Sequence, residues 1–187
     1  MKKALVVFAS PHSSGSTAKV LNFLKEKIKS EFNFYTINAY EKTPKPCIDC
    51  GKCKEMGECV FYDLEDLDYY LNVCDLVILA SPVYNYSFPG PLKSIVDRMQ
   101  RYYNIKKARG ASPFEKKPKK GIIILTAGSY EFDKNIVCAQ IDPVLKLLNI
   151  IDINYIILKD TDNKKLNIDN FFLKSENSIK SIISNLN

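Results

Sequence analysis

The chain predicts a doubly wound α/β three-layer sandwich, a parallel sheet covered by helices on both faces. Three observations lead there: short apolar, β-branched runs recur along the sequence, apolar residues at helical spacing fall between them, and the runs are mostly unbroken. Unbroken runs mark strands buried on both sides, and alternation with helices marks a parallel sheet.

The strands are expected at residues 4–9, 32–37, 76–80, 122–126 and 150–158, each bounded by turn residues. Between them, Val20, Leu21, Leu24 and Ile28 are spaced to face a core, as are Leu92, Ile95, Val96 and Met99, and then Val137, Ile141, Val144, Leu145 and Leu148. Residues 63–71 supply a short helix, and a last helix is expected over 171–186 with Ile179, Ile182, Ile183 and Leu186 on one side. Residues 41–59 show no periodicity and read as an inserted loop. Residues 104–119, rich in Lys and carrying Pro113 and Pro118, read as a second long loop of the functional or mobile kind. Right-handed crossovers restrict the topology, and ligands of such sheets bind at the carboxyl ends of the strands.

With 187 residues, 46% hydrophobic and 26% charged, the chain has the size and composition of one domain with a sizeable core. A single domain over 1–187 is expected, with a cysteine-rich loop at 41–60 and a C-terminal helical extension at 160–187. The formal charge is +6, and much of it sits where Lys106, Lys107, Arg109, Lys116, Lys117, Lys119 and Lys120 face only Glu115. Two readings stand: a solvated loop, or a patch that attracts an anionic partner such as a nucleotide's phosphates. No nucleic-acid recognition motif accompanies it, so no nucleic-acid partner is expected. Lys2 and Lys3 precede an apolar run at 4–9 that is too short for a secretion signal and lacks a cleavage site. No run approaches the ~20 residues of a membrane span. Both observations lead to the expectation of a cytoplasmic chain without a membrane partner.

Cys47, Cys50, Cys53 and Cys59 fall within thirteen residues. Two-residue gaps let one loop wrap a single inorganic centre, whereas two disulfides would each need converging Cβ vectors that so little chain cannot arrange twice. A Cys-x2-Cys-x2-Cys-x5-Cys loop suits a [4Fe-4S] cluster, zinc could use the same four ligands, and bare or oxidised thiols remain a third reading. Spacing alone does not choose among them. Cys74 and Cys138 stand in apolar patterns and read as core thiols.

Directly after the first strand, Ser10-Pro11-His12-Ser13-Ser14-Gly15-Ser16-Thr17 opens the first helix. A helix start offers unpaired N–H groups and the positive end of the dipole, so a phosphate can be held there with hydroxyls as further donors and without a cation. A nucleoside triphosphate loop would need Gly-Lys before the Ser or Thr, and a dinucleotide fingerprint three spaced glycines; only Gly15 is present. A mononucleotide phosphate fits better. The plain alternative is that these residues only cap the helix.

Together with that loop, the run 81–98 after the third strand, Ser-Pro-Val-Tyr-Asn-Tyr-Ser-Phe-Pro-Gly-Pro-Leu-Lys-Ser-Ile-Val-Asp-Arg, resembles the NADPH-dependent FMN reductase family, which has a flavodoxin-like fold. The cysteine loop followed by Asp63 is similar to the iron-sulfur flavoproteins within it. The resemblance covers residues 2–158 and implies strand order 2-1-3-4-5. It also implies an FMN phosphate on Ser10, Ser13, Ser14, Ser16 and Thr17, with His12 hydrogen-bonding inside that loop. The isoalloxazine ring would lie against Pro82, Val83, Tyr84, Asn85 and Tyr86, and Thr126, Ala127 and Gly128 would approach it from the other side. Gly128, lacking Cβ, would admit backbone N–H groups close to the ring. Asp97 and Arg98 read as structural.

The resulting expectation is an FMN-binding oxidoreductase that takes electrons from NAD(P)H, or through an adjacent [4Fe-4S] cluster, to a quinone, a flavin or an electron-carrier protein. No catalytic side chain is needed, because the cofactor carries the chemistry. The resemblance also implies a homodimer or homotetramer with the cysteine loop near a partner chain. A nonenzymatic FMN or iron-sulfur electron carrier and a zinc-stabilised binding module are the alternatives.

Overall fold

Strand β1 (Lys2–Phe8) sends Leu5 and Val7 to one buried face and Ala4, Val6 and Phe8 to the other, so each side of the sheet has its own core. The computed structural model describes residues 1–114 and 117–185; Glu115, Lys116 and Leu186, named above, lie outside them. From β1 the order is α1 (Ser16–Ile28), β2 (Phe32–Asn38), α2 (Ala39–Lys42), α3 (Lys52–Glu55), α4 (Glu65–Val73), β3 (Leu76–Pro82), α5 (Gly90–Arg98), α6 (Gln100–Arg109), β4 (Lys119–Thr126), α7 (Lys134–Leu147), β5 (Ile150–Leu158) and α8 (Ile168–Ser184).

The five strands pair in parallel in the order β2-β1-β3-β4-β5, the flavodoxin-like arrangement. One face packs on Leu67 and Leu71 of α4, Leu92 and Ile95 of α5, and Val137, Ile141 and Leu145 of α7. The other packs on Val20, Leu21, Leu24 and Ile28 of α1 and on Ile179 and Ile182 of α8, where Phe23 and Phe172 stack at 4.1 Å. Burial of so many branched side chains, each worth roughly 1.5–3 kcal/mol, is what drives the three layers together.

The expected strands are all present, and β4 begins three residues earlier than its apolar run. Lys119 and Lys120 extend it because Lys119 is only 1% exposed. Its Nζ donates to the Leu148 carbonyl at 2.9 Å at the end of α7, and lies over the Phe114 ring.

One expectation about the region 104–119 is overturned. It is not one long loop: α6 runs through Asn104 to Arg109 and stops at Gly110, which takes the left-handed conformation (φ 73°). Three of the basic residues named above lie away from the ligand edge of the sheet. Lys119 and Lys120 open β4, and Lys117 pairs with Asp75, just before β3, at 3.0 Å; all three lie at the amino end of the strands. Among the described residues no helix is long and apolar enough to cross a membrane.

Candidate functional site

Register brings three of the expected segments to one place. Phe8 of β1 pairs with Ala80 of β3, and Pro82 of β3 pairs with Thr126 of β4. The chain leaving β1 at Ser10, the chain leaving β3 at Val83 and the chain leaving β4 at Ala127 therefore share the carboxyl edge of the sheet. The main chain continues that register past the strands, since the Ala9 and Val83 N–H groups donate to the Ala80 and Thr126 carbonyls, each at 2.8 Å.

The Ser10 to Thr17 loop has a buried base and an open rim. Ser10 is buried, and its Oγ accepts from the His12 N–H at 3.2 Å, while the His12 carbonyl accepts from the Gly15 N–H at 3.2 Å. These bonds place His12 within the loop's own turn and leave its side chain, Ser13 and Ser14 exposed. Gly15 is the N-cap of α1 and no side chain caps the helix there, so its first-turn amides face the open loop with the positive end of the helix dipole behind them. Thr17 differs from its neighbours. It is buried, and its Oγ1 lies 2.6 Å from the Oγ1 of Thr126. The Thr17 side chain is thus engaged by β4.

The second segment is a hairpin, a form that the sequence did not announce. Tyr84 and Ser87 exchange N–H to carbonyl hydrogen bonds, both 2.9 Å, around Asn85 (φ 51°) and Tyr86 (φ 56°). Positive φ at both central residues is a type I′ arrangement that normally selects Asn-Gly, so Tyr86 holds a backbone conformation unfavourable for its side chain. Gln140, on α7, clamps it: its Nε2 donates to the Tyr86 carbonyl at 2.9 Å and its Oε1 accepts from the Ser87 Oγ at 2.8 Å. Phe132 lies beside the Tyr86 ring. Pro82 and Val83 are half-buried, whereas Tyr84 is 42% and Tyr86 49% exposed, an aromatic wall open to the edge of the sheet. Tyr40, from α2, stands close enough that burial and then Tyr84 push its phenol above the usual range.

The third segment is packed closely by the loop after β5. A Cβ on Gly128 would collide with the Asp162 carboxylate, so the space that its missing side chain leaves is taken by the loop after β5. The Ala127 carbonyl, accepting from the Thr161 N–H at 3.0 Å, fixes that loop beside it. Gln140, Tyr40 and Asp162 carry no sequence signal. Each is a single polar residue whose role comes from where its element docks.

Cys47, Cys50, Cys53 and Cys59 line one pocket together with Phe61, Arg98, Gln100 and Arg101. All four are free thiols, as are the buried Cys74 and Cys138. Among the described residues no three His, Cys, Asp or Glu side chains converge as ligands of one metal ion. Four cysteine thiolates are the donor set of a four-iron cube, one per corner, and equally of a tetrahedral zinc site. Arg98 is 4% exposed and anchors the loop by donating to the Phe61 carbonyl at 2.8 Å and pairing with Asp63. Burial alone would raise the Asp63 carboxyl, but the Lys45 amide and the Arg98 guanidinium hold it below the usual range. Asp97 pairs instead with Lys93 on the surface of α5 at 2.6 Å. Each is thus held by an ion pair.

Comparison with known proteins agrees with this geometry. The family described as NADPH-dependent FMN reductase matches residues 2–160. An iron-sulfur flavoprotein of Archaeoglobus fulgidus is 32% identical over 157 residues, which are 83% of this chain and 67% of that protein. One of Methanocaldococcus jannaschii is 33% identical over 102 residues, 51% of each. Among solved structures, an NAD(P)H:quinone oxidoreductase from Methanothermobacter marburgensis superposes with a TM-score of 0.76 at 13% identity, over 96% of this chain and 95% of that one. An FMN-dependent NADH-azoreductase from Bacillus anthracis, in complex with FMN, gives 0.67 at 14% identity over 100% of both chains. At such identities the structural likeness speaks for the fold, and the sequence match speaks for the family. The chain belongs to the NADPH-dependent FMN reductase family, whose members are NAD(P)H-dependent FMN oxidoreductases.

Proposed function

We propose that the chain binds FMN across the carboxyl edge of its sheet and carries electrons from NADH or NADPH to a small acceptor such as a quinone, a free flavin or an electron-carrier protein. The observation that carries this reading is the uncapped start of α1 at the same edge as the open Tyr84–Ser87 hairpin. Bound flavin supplies the hydride-accepting and electron-donating chemistry. The first-turn amides of α1 and the hydroxyls of Ser13, Ser14 and Ser16 hold its phosphate by dipoles and hydrogen bonds. Ser10, His12 and Thr17 shape that loop. Pro82, Val83, Tyr84, Asn85 and Tyr86 give the ring an apolar wall with backbone polar groups at its rim, and Thr126, Ala127 and Gly128 bound it on the β4 side.

The same reading assigns a [4Fe-4S] cluster to Cys47, Cys50, Cys53 and Cys59, supported by their shared pocket and by the iron-sulfur names of the relatives. It assigns a cytoplasmic location, where a reducing milieu keeps such thiols available as ligands. A homodimer or homotetramer is supported by the apolar rim of the cysteine loop, where Ile48, Met56, Val60 and Tyr62 are all exposed.

Anaerobic purification followed by a visible spectrum and stopped-flow mixing with NADH and with NADPH tests the reading. Flavin bands that bleach on mixing support a reductase. Bound flavin that neither nucleotide reduces makes the chain an electron carrier, and a chain that binds no FMN removes the assignment altogether.

A further inference from the structure

The wall opposite the cysteines is the helix that sequence periodicity hid. α6 buries two polar-tipped residues, Tyr102 and Asn104. Tyr102 is satisfied by Arg101 and Asp68. Asn104, 9% exposed, donates its Nδ2 to the sulfur of Cys53 at 3.1 Å. Gly57, in the cysteine loop at φ 72°, packs against the same helix, where a Cβ would meet the Ile105 side chain at 3.3 Å. Arg98 and Arg101 line the cysteine pocket, and the Nε of Arg98 is buried without a hydrogen-bond partner, the one such side-chain atom among the described residues.

Neither donor is matched by what a neutral thiol can give. A thiol sulfur is a weak acceptor, so an amide buried against it recovers little of the cost of leaving water. A metal-bound thiolate carries charge, and hydrogen bonds to charged acceptors are roughly twice as strong as neutral ones. The orphaned Arg98 Nε at the same pocket has the same need for a negative partner. Both guanidinium groups are ion-paired, Arg98 with Asp63 and Arg101 with Asp68, so the direct Asn104 bond is the larger influence on the sulfur.

We propose that α5 and α6 form the tuning shell of the iron-sulfur centre, with Asn104 donating to the Cys53 thiolate and Arg98 and Arg101 raising the centre's reduction potential. This rests on the cluster reading above. Reduction adds one electron and hence one negative charge to the pocket, with no bond made or broken. N–H donors and guanidinium charges stabilise that added charge, and outer hydrogen bonds to sulfur are a general lever on such potentials.

The test is anaerobic reconstitution of the full chain with iron and sulfide, then iron analysis and an EPR-monitored titration with dithionite. Parent, Asn104→Leu, Arg101→Gln and the exposed Lys107→Gln are compared. Equal iron in all four is expected. At a fixed potential, Asn104→Leu should change the oxidised-to-reduced ratio about tenfold, a fall of about 59 mV for a one-electron couple. Arg101→Gln should fall less, and Lys107→Gln should match the parent. Equal iron with equal potentials in parent, Asn104→Leu and Arg101→Gln overturns the proposal while leaving the cluster in place. A parent that takes up no iron overturns the cluster reading and the proposal with it. If Asn104→Leu fails to fold, an unchanged potential in loaded Arg101→Gln overturns the proposal by itself.

Discussion

The Thr17 and Thr126 hydroxyls, 2.6 Å apart and buried, join the first turn of α1 to the last residue of β4 across 109 residues of sequence. Both belong to segments that face the carboxyl edge, so the bond fixes the Ser10 to Thr17 loop relative to the chain leaving β4. Replacing either Thr by Val leaves one buried hydroxyl unpaired, at a cost of about 1–3 kcal/mol, whereas replacing both removes donor and acceptor together. In urea unfolding of the apo chain, Thr17→Val with Thr126→Val should therefore be less destabilised than the two single variants added, with a coupling of about 1 kcal/mol. Strict additivity would mean that the hydroxyls do not interact.

The pairing was not legible beforehand, although both residues were candidates. Sequence placed each at the end of its own element, and only the packing of α1 against β4 brings them face to face. The fold was legible because five apolar runs, one per strand, dominate the pattern and tolerate small errors at their ends. α6 was hidden for the opposite reason. Its Lys and Tyr residues form no apolar stripe, and its inner surface rests on the cysteine loop rather than on the sheet, so helical period and burial no longer coincide. The lysines after it could not be placed beforehand, because charge in a sequence has no address. Lys119 carries a cation yet is buried beneath the end of α7.

Gln140 offers a second test, because it holds the Tyr86 turn from outside the segments that line the site. Its two bonds to the hairpin, at 2.9 and 2.8 Å, restrain a turn with two residues at positive φ. Such conformations cost of order 1–3 kcal/mol and persist only where surroundings enforce them. Gln140→Ala should release the hairpin, weakening FMN binding by about 1 kcal/mol, the worth of a typical hydrogen bond, with little loss of global stability. Quenching of flavin fluorescence on titration measures the affinity, and urea unfolding serves as the control. An unchanged dissociation constant would make the clamp irrelevant to the flavin.

At the amino end of the sheet, Cys74 sets the response to alkaline pH. Burial pushes its thiol from 9.0 up to about 11, against the opposing influence of Lys119 and Lys117. Below about pH 9 the thiol is protonated in folded and unfolded chains alike, and its contribution to stability is fully present. Between 9 and 11 the unfolded chain gives up the proton that the folded chain keeps, so stability falls as pH rises. A shift of two units amounts to roughly 2–3 kcal/mol across that window. Lys119 works in the other direction. Burial lowers its pKa from 10.5, so the folded state sheds its proton first and stability rises with pH below that value. The two groups act on each other, so the difference between parent and Cys74→Ala reports the thiol together with its coupling to Lys119, while the similarly raised Cys138 is common to both. Urea unfolding under reducing conditions from about pH 8 to 11 should show a steeper alkaline loss in the parent than in Cys74→Ala. Parallel curves would mean that the thiol is not desolvated in the folded chain.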